Sequence, residues 1–104
     1  MNIEKLKVSV SAENIEWRKH VFERMLERDI SRQNIIEVLL QGELIEDYTD
    51  DRPFESGLFY KIVQNRPIHV VAALDENEGK TYIVTTYEPT LNVFENDYKT
   101  RKLK

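Results

Sequence analysis

The sequence predicts an α+β domain in which two N-terminal helices pack on an antiparallel sheet of about four strands. Three observations lead there. Apolar residues recur at helical spacing from about residue 12 to residue 42, the pattern then changes to runs of β-branched and aromatic residues, and short polar turns separate those runs. Helices followed by a meander of strands argue for one layer of each around a shared core. With 104 residues the chain is read as a single domain over 1–104, its core lying between about residues 12 and 89.

The first helix is predicted from about residue 12 to residue 29. Val21, Phe22, Met25 and Leu26 form its apolar stripe, with Glu, Arg and Lys filling the gaps. The tripeptide "DIS" interrupts it, and Ser31 is a natural N-cap for a second helix. That helix buries Ile35, Ile36, Val38, Leu39 and Leu40 and stops at Gly42. A link this short makes the two helices a tight hairpin or corner. "ELIEDY" is then read as a strand, "DDRPFESG" as a loop and "LFYKIVQ" as the next strand. "NRP" leads to "IHVVAAL", the most apolar strand and therefore a central one. "DENEG" is a hairpin turn into "KTYIVTTYEP", which Pro89 ends. The remainder is polar, with Leu91, Val93 and Phe94 as packing points and a basic tail over 95–104.

Composition narrows the function classes. The hydrophobic fraction of 40% and charged fraction of 33% are those of a globular protein, and no apolar run approaches a membrane span. No signal-like segment opens the chain, and cysteine is absent, which excludes a disulfide framework and thiolate metal sites. The expected location is the cytoplasm. The net charge of −4 is local: residues 43–55 hold six acids and one arginine, while the rest carries fourteen bases against thirteen acids. The chain closes on "KTRKLK", a segment expected to be solvated and able to steer a polyanion.

The candidate chemistry begins at Trp17, His20, Arg24 and Arg28. On one continuous helix these four span an arc of about 80°. Their row borders the apolar stripe rather than opposing it, as the edge of a cleft would. Glu16, Glu23 and Glu27 supply ordinary helical ion-pair partners, the bland alternative. His69 opens the apolar strand on the same face as Val71 and Ala73, with Tyr60, Tyr82 and Tyr87 on adjacent strands. Two imidazoles, which titrate near neutrality, together with two guanidinium groups suit acid/base work on a phosphate ester. Metal ligation is not expected, since His20 and His69 are far apart and no HxxxH or CxxC exists. No glycine-rich phosphate loop or serine elbow is present, and Asp50 and Asp51 read as a solvated turn.

These residues carry a resemblance. "KHVFERMLERDISRQNIIEVLLQGELIEDY", with its H-x-x-x-R-x-x-x-R spacing, then "RPIHVVAAL" and "YIVTTYEP", resembles an uncharacterised bacterial family of small proteins that look like distant relatives of RelE, ParE and BrnT type toxins. The resemblance covers residues 15–89. It implies a RelE-like fold and a metal-independent, cofactor-free endoribonuclease that cleaves RNA through its 2′-hydroxyl, with an antitoxin protein as partner. Carried onto matching positions, it makes His20 and His69 the acid and base and Arg24 and Arg28 the phosphate stabilisers, with Tyr87, Thr85 and Trp17 positioning substrate. Two departures stand beside it. The sequence pI is 5.2, acidic for an RNA binder unless the charge is segregated, and the ParE branch acts on protein. The alternative is a non-catalytic interaction module that binds a protein through its acidic loop or a strand edge.

Overall fold

The computed structural model describes residues 1–103, and among them the chain forms three helices and five strands. In order these are α1 (Ile3–Ser11), β1 (Ile15–Trp17), α2 (Lys19–Arg28), α3 (Arg32–Gln41), β2 (Glu43–Tyr48), β3 (Ser56–Val63), β4 (Arg66–Asp75) and β5 (Lys80–Tyr87). The α+β class holds, but the two helices and four strands expected from sequence become three and five. The sheet runs β1-β5-β4-β3-β2 and is mixed rather than antiparallel, because β1 lies parallel to β5.

The correction has a local cause. The predicted long first helix divides at residues 12–18: Ala12 caps α1, Glu13 takes a φ of 60°, and Ile15 and Trp17 turn inward while Glu16 turns out. Three alternating residues are too few to read as a strand alone; pairing with Thr81, Tyr82 and Ile83 makes them one. A buried polar chain fixes this corner. The Thr81 hydroxyl donates to Ser9 Oγ at 2.9 Å, and the Ser9 hydroxyl donates to the Asn14 carbonyl at 2.8 Å. α1 itself is capped by Asn2, whose side chain accepts the Lys5 N–H at 3.1 Å. It buries Leu6 and Val10, so the core starts well before residue 12.

α2 buries only Val21 and Met25, and Leu26 is 87% exposed. The stripe is narrower than expected because α2 packs chiefly on β5. α3 follows the sequence closely: Ser31 and Asn34 form a reciprocal capping box, Ile35, Val38 and Leu39 are buried, and Gly42 ends it. A Cβ at Gly42 would lie 2.5 Å from the carbonyl oxygens of both Val38 and Tyr60, so a close backbone approach requires the glycine. The β3–β4 hairpin turns on Gln64 and Asn65, both at positive φ, matching the twist of the flanking strands.

The two sheet faces differ. Phe59, Val63, Ile68, Val70, Ala72, Leu74 and Ile83 join the helices in one apolar core. The opposite face carries three cross-strand rows set by the pairing register: Glu43, Tyr60, His69 and Tyr87; then Glu46, Leu58, Val71 and Thr85; then Tyr48, Ser56, Ala73 and Tyr82. Among the described residues no helix covers this face. Residues 90–103 instead form a strap across its first row and bury Phe94, so packing also extends beyond residue 89. Among the described residues no helix is long and apolar enough to cross a membrane.

Candidate functional site

The third row explains a depression in the open face. Ser56 and Ala73, paired side by side on β3 and β4, are small, while Tyr48 and Tyr82 flank them on β2 and β5. The result is a groove of about 350 Å³ with Ser56, Ala73 and Val71 in its floor. The 49–55 loop contributes Asp51, Arg52 and Phe54, and the start of α2 contributes Arg18 and His20. Phe54 stacks on Tyr82 with ring centroids 5.4 Å apart, and the Arg18 guanidinium lies 5.4 Å from the Tyr82 ring centre.

Among the described residues cations fall into two groups, those that contact a carboxylate and those that do not, the latter including Lys7, Lys19, Arg28, Arg32 and Lys102 outside the groove lining. Arg24, Arg66, Arg101, Lys61 and Lys99 each contact a carboxylate. Among the described residues Arg18, His20 and Arg52 contact none. Arg52 donates to the carbonyls of Thr49 and Asp51 at 3.1 and 2.8 Å, which holds it to its own loop. The groove therefore has two guanidinium groups and an imidazole against one carboxylate, Asp51. Asp51 accepts the hydroxyl of Ser56, which is itself buried. α2 also starts without a side-chain cap or an acid in its first turn, leaving its positive end uncompensated beside Arg18 and His20.

The other sequence-predicted residues are distributed around this groove rather than in it. His69 lies on the same sheet face but is fully buried beneath the strap. Its Nε2 is 2.7 Å from the Tyr98 carbonyl oxygen, which can only accept, so Nε2 carries the proton. In the neutral ring Nδ1 is then left to accept from the Tyr87 hydroxyl, 3.4 Å away. Phe94, Tyr87 and Tyr60 pack around the ring at centroid distances of 4.7, 5.3 and 5.6 Å. Thr85 is paired with Val71, next to the groove. Arg28 donates to the Thr86 carbonyl at 2.8 Å, and Arg24 pairs with Glu27 at 3.2 Å on the exposed flank of α2. Trp17 turns the other way, stacking with Phe22 while the Arg32 guanidinium covers both rings. The sequence row thus separates because Trp17 belongs to β1 and not to α2.

Electrostatics under the strap follow from burial. Burial pushes His69 below its ordinary value of 6.5, the Tyr98 carbonyl and the Glu46 carboxylate opposing and Arg101 reinforcing. Burial likewise raises the Tyr87 and Tyr60 hydroxyls. For Glu46 burial acts upward, but bonds from Arg101 and Tyr48 outweigh it and hold the carboxyl below its usual range. Because folded His69 resists protonation, its contribution to stability is complete above 6.5 and declines as pH falls from there toward the lowered folded value. The urea midpoint is therefore expected to drop between pH 7.5 and 5.5, and His69→Asn is expected to flatten that drop. An unchanged slope in the variant would place the pH response elsewhere.

Residues 17–88 match the family described as Domain of unknown function (DUF4258). The chain belongs to the DUF4258 family. No curated protein and no solved structure matches it. The DUF4258 segment contains α2, α3, most of the sheet and every residue of the groove, whereas α1 and the strap lie outside it. Among the described residues no group of three or more His, Asp or Glu side chains is arranged to hold a metal ion.

Sequence reasoning did not anticipate Arg18, Arg52, Asp51, Tyr48 or Ser56. Their common signal, a small pair between two tyrosines, appears only once the register of three strand pairs is known.

Proposed function

We propose that this DUF4258 protein binds single-stranded RNA in the groove and cleaves it by a metal-independent, toxin-like ribonuclease reaction, with an antitoxin protein as its partner. The observation that carries the reading is the convergence of Arg18, His20 and Arg52, all free of carboxylate contacts among the described residues, on a groove walled by Tyr48, Tyr82 and Phe54. Aromatic walls offer a π-face to any base, and guanidinium groups hold phosphate oxygens in pairs. The resemblance to RelE, ParE and BrnT type toxins supports the same reading.

The reaction needs a base to take the 2′-hydroxyl proton, an acid to protonate the departing 5′-oxygen, and cations around the pentacoordinate phosphorus. In the groove His20 and Asp51 are the proton-handling groups, and Arg18 and Arg52 are the cations. This modifies the two-histidine scheme: His20 keeps its role, while His69, Arg24 and Arg28 act outside the groove as it stands. The test is cleavage of single-stranded RNA in EDTA by the native chain, His20→Ala, Asp51→Asn and His69→Ala. Loss of the general acid or base is expected to slow cleavage by about 10²-fold or more in the first two variants. Equal trace cleavage in all four proteins would mark a contaminant and remove the nuclease reading.

A second reading, a non-catalytic docking module, has one observation in its favour. Leu26 and Phe22 form an exposed apolar patch on α2, on the opposite flank from the groove's sheet face. Absence of both RNA binding and cleavage for every protein in the assay would favour it over the nuclease.

A further inference from the structure

We infer that residues 90–103 are a self-occluding strap over the continuation of the RNA groove, and that an RNA longer than the groove must lift it to reach the Tyr60, His69 and Tyr87 row. The inference rests on the RNA reading of the groove and adds a second subsite and its regulation. The rows are continuous. Ser56 and Ala73 in the groove floor lead, two residues along each strand, to Leu58 and Val71 and then to Tyr60 and His69. A strand of RNA crossing the groove along the strands would run from the Tyr48 and Tyr82 walls onto Tyr60 and Tyr87. The strap occupies that path.

Its attachment is that of a cover rather than of a core element. Phe94 is buried on His69, but neither Phe94 nor Leu58 belongs to the main core formed between sheet and helices. The remaining ties are polar: the Tyr98 carbonyl to His69, Lys99 to Glu43 at 3.0 Å, and Arg101 to both oxygens of Glu46 at 2.8 and 3.1 Å. Within the strap, Asp97 closes the turn by accepting the N–H groups of Lys99 and Thr100 at 2.8 and 2.9 Å. Glu95 and Lys102 complete it through backbone bonds to Thr100 and Val93. The strap therefore keeps its own internal bonds when it lifts, and what is lost is the Phe94 packing on His69, the Tyr98–His69 hydrogen bond, two partly exposed ion pairs and the Arg101 contact with the Tyr48 hydroxyl. The DUF4258 match, moreover, ends at residue 88, before the strap begins. The same two cations that clasp Glu43 and Glu46, Lys99 and Arg101, become available to phosphates once they let go, so a polyanion competes directly with the clasp.

The test uses the full chain and its only two histidines. Diethyl pyrocarbonate should modify His20 alone in the native protein and both histidines in Phe94→Ala, a charge-neutral release of the strap. Binding of an RNA octanucleotide should tighten by about tenfold in Phe94→Ala, the worth of roughly one additional stacked base, while a dinucleotide confined to the groove binds equally to both. Arg101→Gln guards against a folding defect in the first variant. It opens the Glu46 clasp without leaving a cavity, so His69 should become reactive in this variant as well. His69 remaining unreactive in both variants would overturn the inference by making the strap a fixed part of the fold. His69 reactive with no gain for the octanucleotide would also overturn it, by showing that nothing binds beneath. Failure of the groove reading looks different: neither RNA binds any of the three proteins, and the inference falls with it.

Discussion

Tyr82→Ala is expected to weaken single-stranded RNA binding by about 1–3 kcal/mol, the range found when an aromatic base platform is truncated. The ring is one wall of the groove, the stacking partner of Phe54 and the seat of the Arg18 guanidinium, so its loss unsettles all three. Arg18→Ala tests the charged component separately. Removing one phosphate contact to a single strand should reduce the slope of log affinity against log salt by about 0.7, with little change in base preference. Fluorescence anisotropy over a salt series measures both. Unaltered affinity in Tyr82→Ala together with an unaltered slope in Arg18→Ala would move the RNA away from this groove.

Phe59→Ala should destabilise the fold by about 3–5 kcal/mol, a large part of the roughly 5–15 kcal/mol that holds a domain together. Phe59 is 1% exposed on β3, paired with Val70 and directed into the core between sheet and helices. Removing the ring forfeits its burial and leaves a cavity that α3 and β4 can close only in part. Ile62, on the same strand but facing the other way and 51% exposed, is the internal control. Ile62→Ala should change stability by about 0.5 kcal/mol or less. Urea denaturation compares the two, and similar small losses in both would contradict the assignment of the helix-facing side.

The elements legible in the sequence are those whose signals are local. α3 announces itself through Ser31, Asn34 and Gly42, and β4 through its apolar run. β1 and α1 were not legible. β1 is a strand only by virtue of Thr81, Tyr82 and Ile83 beside it, more than sixty residues away in sequence, and α1 shows a short stripe at Leu6 and Val10 among many polar residues. The positive φ at Glu13, which separates the two, has no sequence marker of the glycine kind.

The site divides in the same way. His20 was visible as an imidazole at the edge of an amphipathic helix, and the groove includes it. Arg24 was visible for the same reason, yet Glu27 one turn along engages it. Asp51 looked like part of a solvated turn because nothing local says that Ser56, across a loop, donates to it. The acidic charge of residues 43–55 is divided: part is engaged by the tail, while Asp51 lines the groove itself. Glu43 and Glu46 are engaged by Lys99 and Arg101, bases of a tail expected to be solvated, and the groove keeps cations without carboxylate contacts among the described residues. Burial of His69 likewise depends on Phe94 and Tyr98, whose spacing carries no periodic signal.

The most direct test of the central claim is a chemical-shift map of the isotope-labelled native chain titrated with a short single-stranded RNA in EDTA. Binding in the groove predicts the largest shifts at Arg18, His20, Tyr48, Arg52 and Tyr82, with the α2 patch around Phe22 and Leu26 unmoved. Shifts confined to that patch or to the edge of β2, with the groove residues silent, would contradict it.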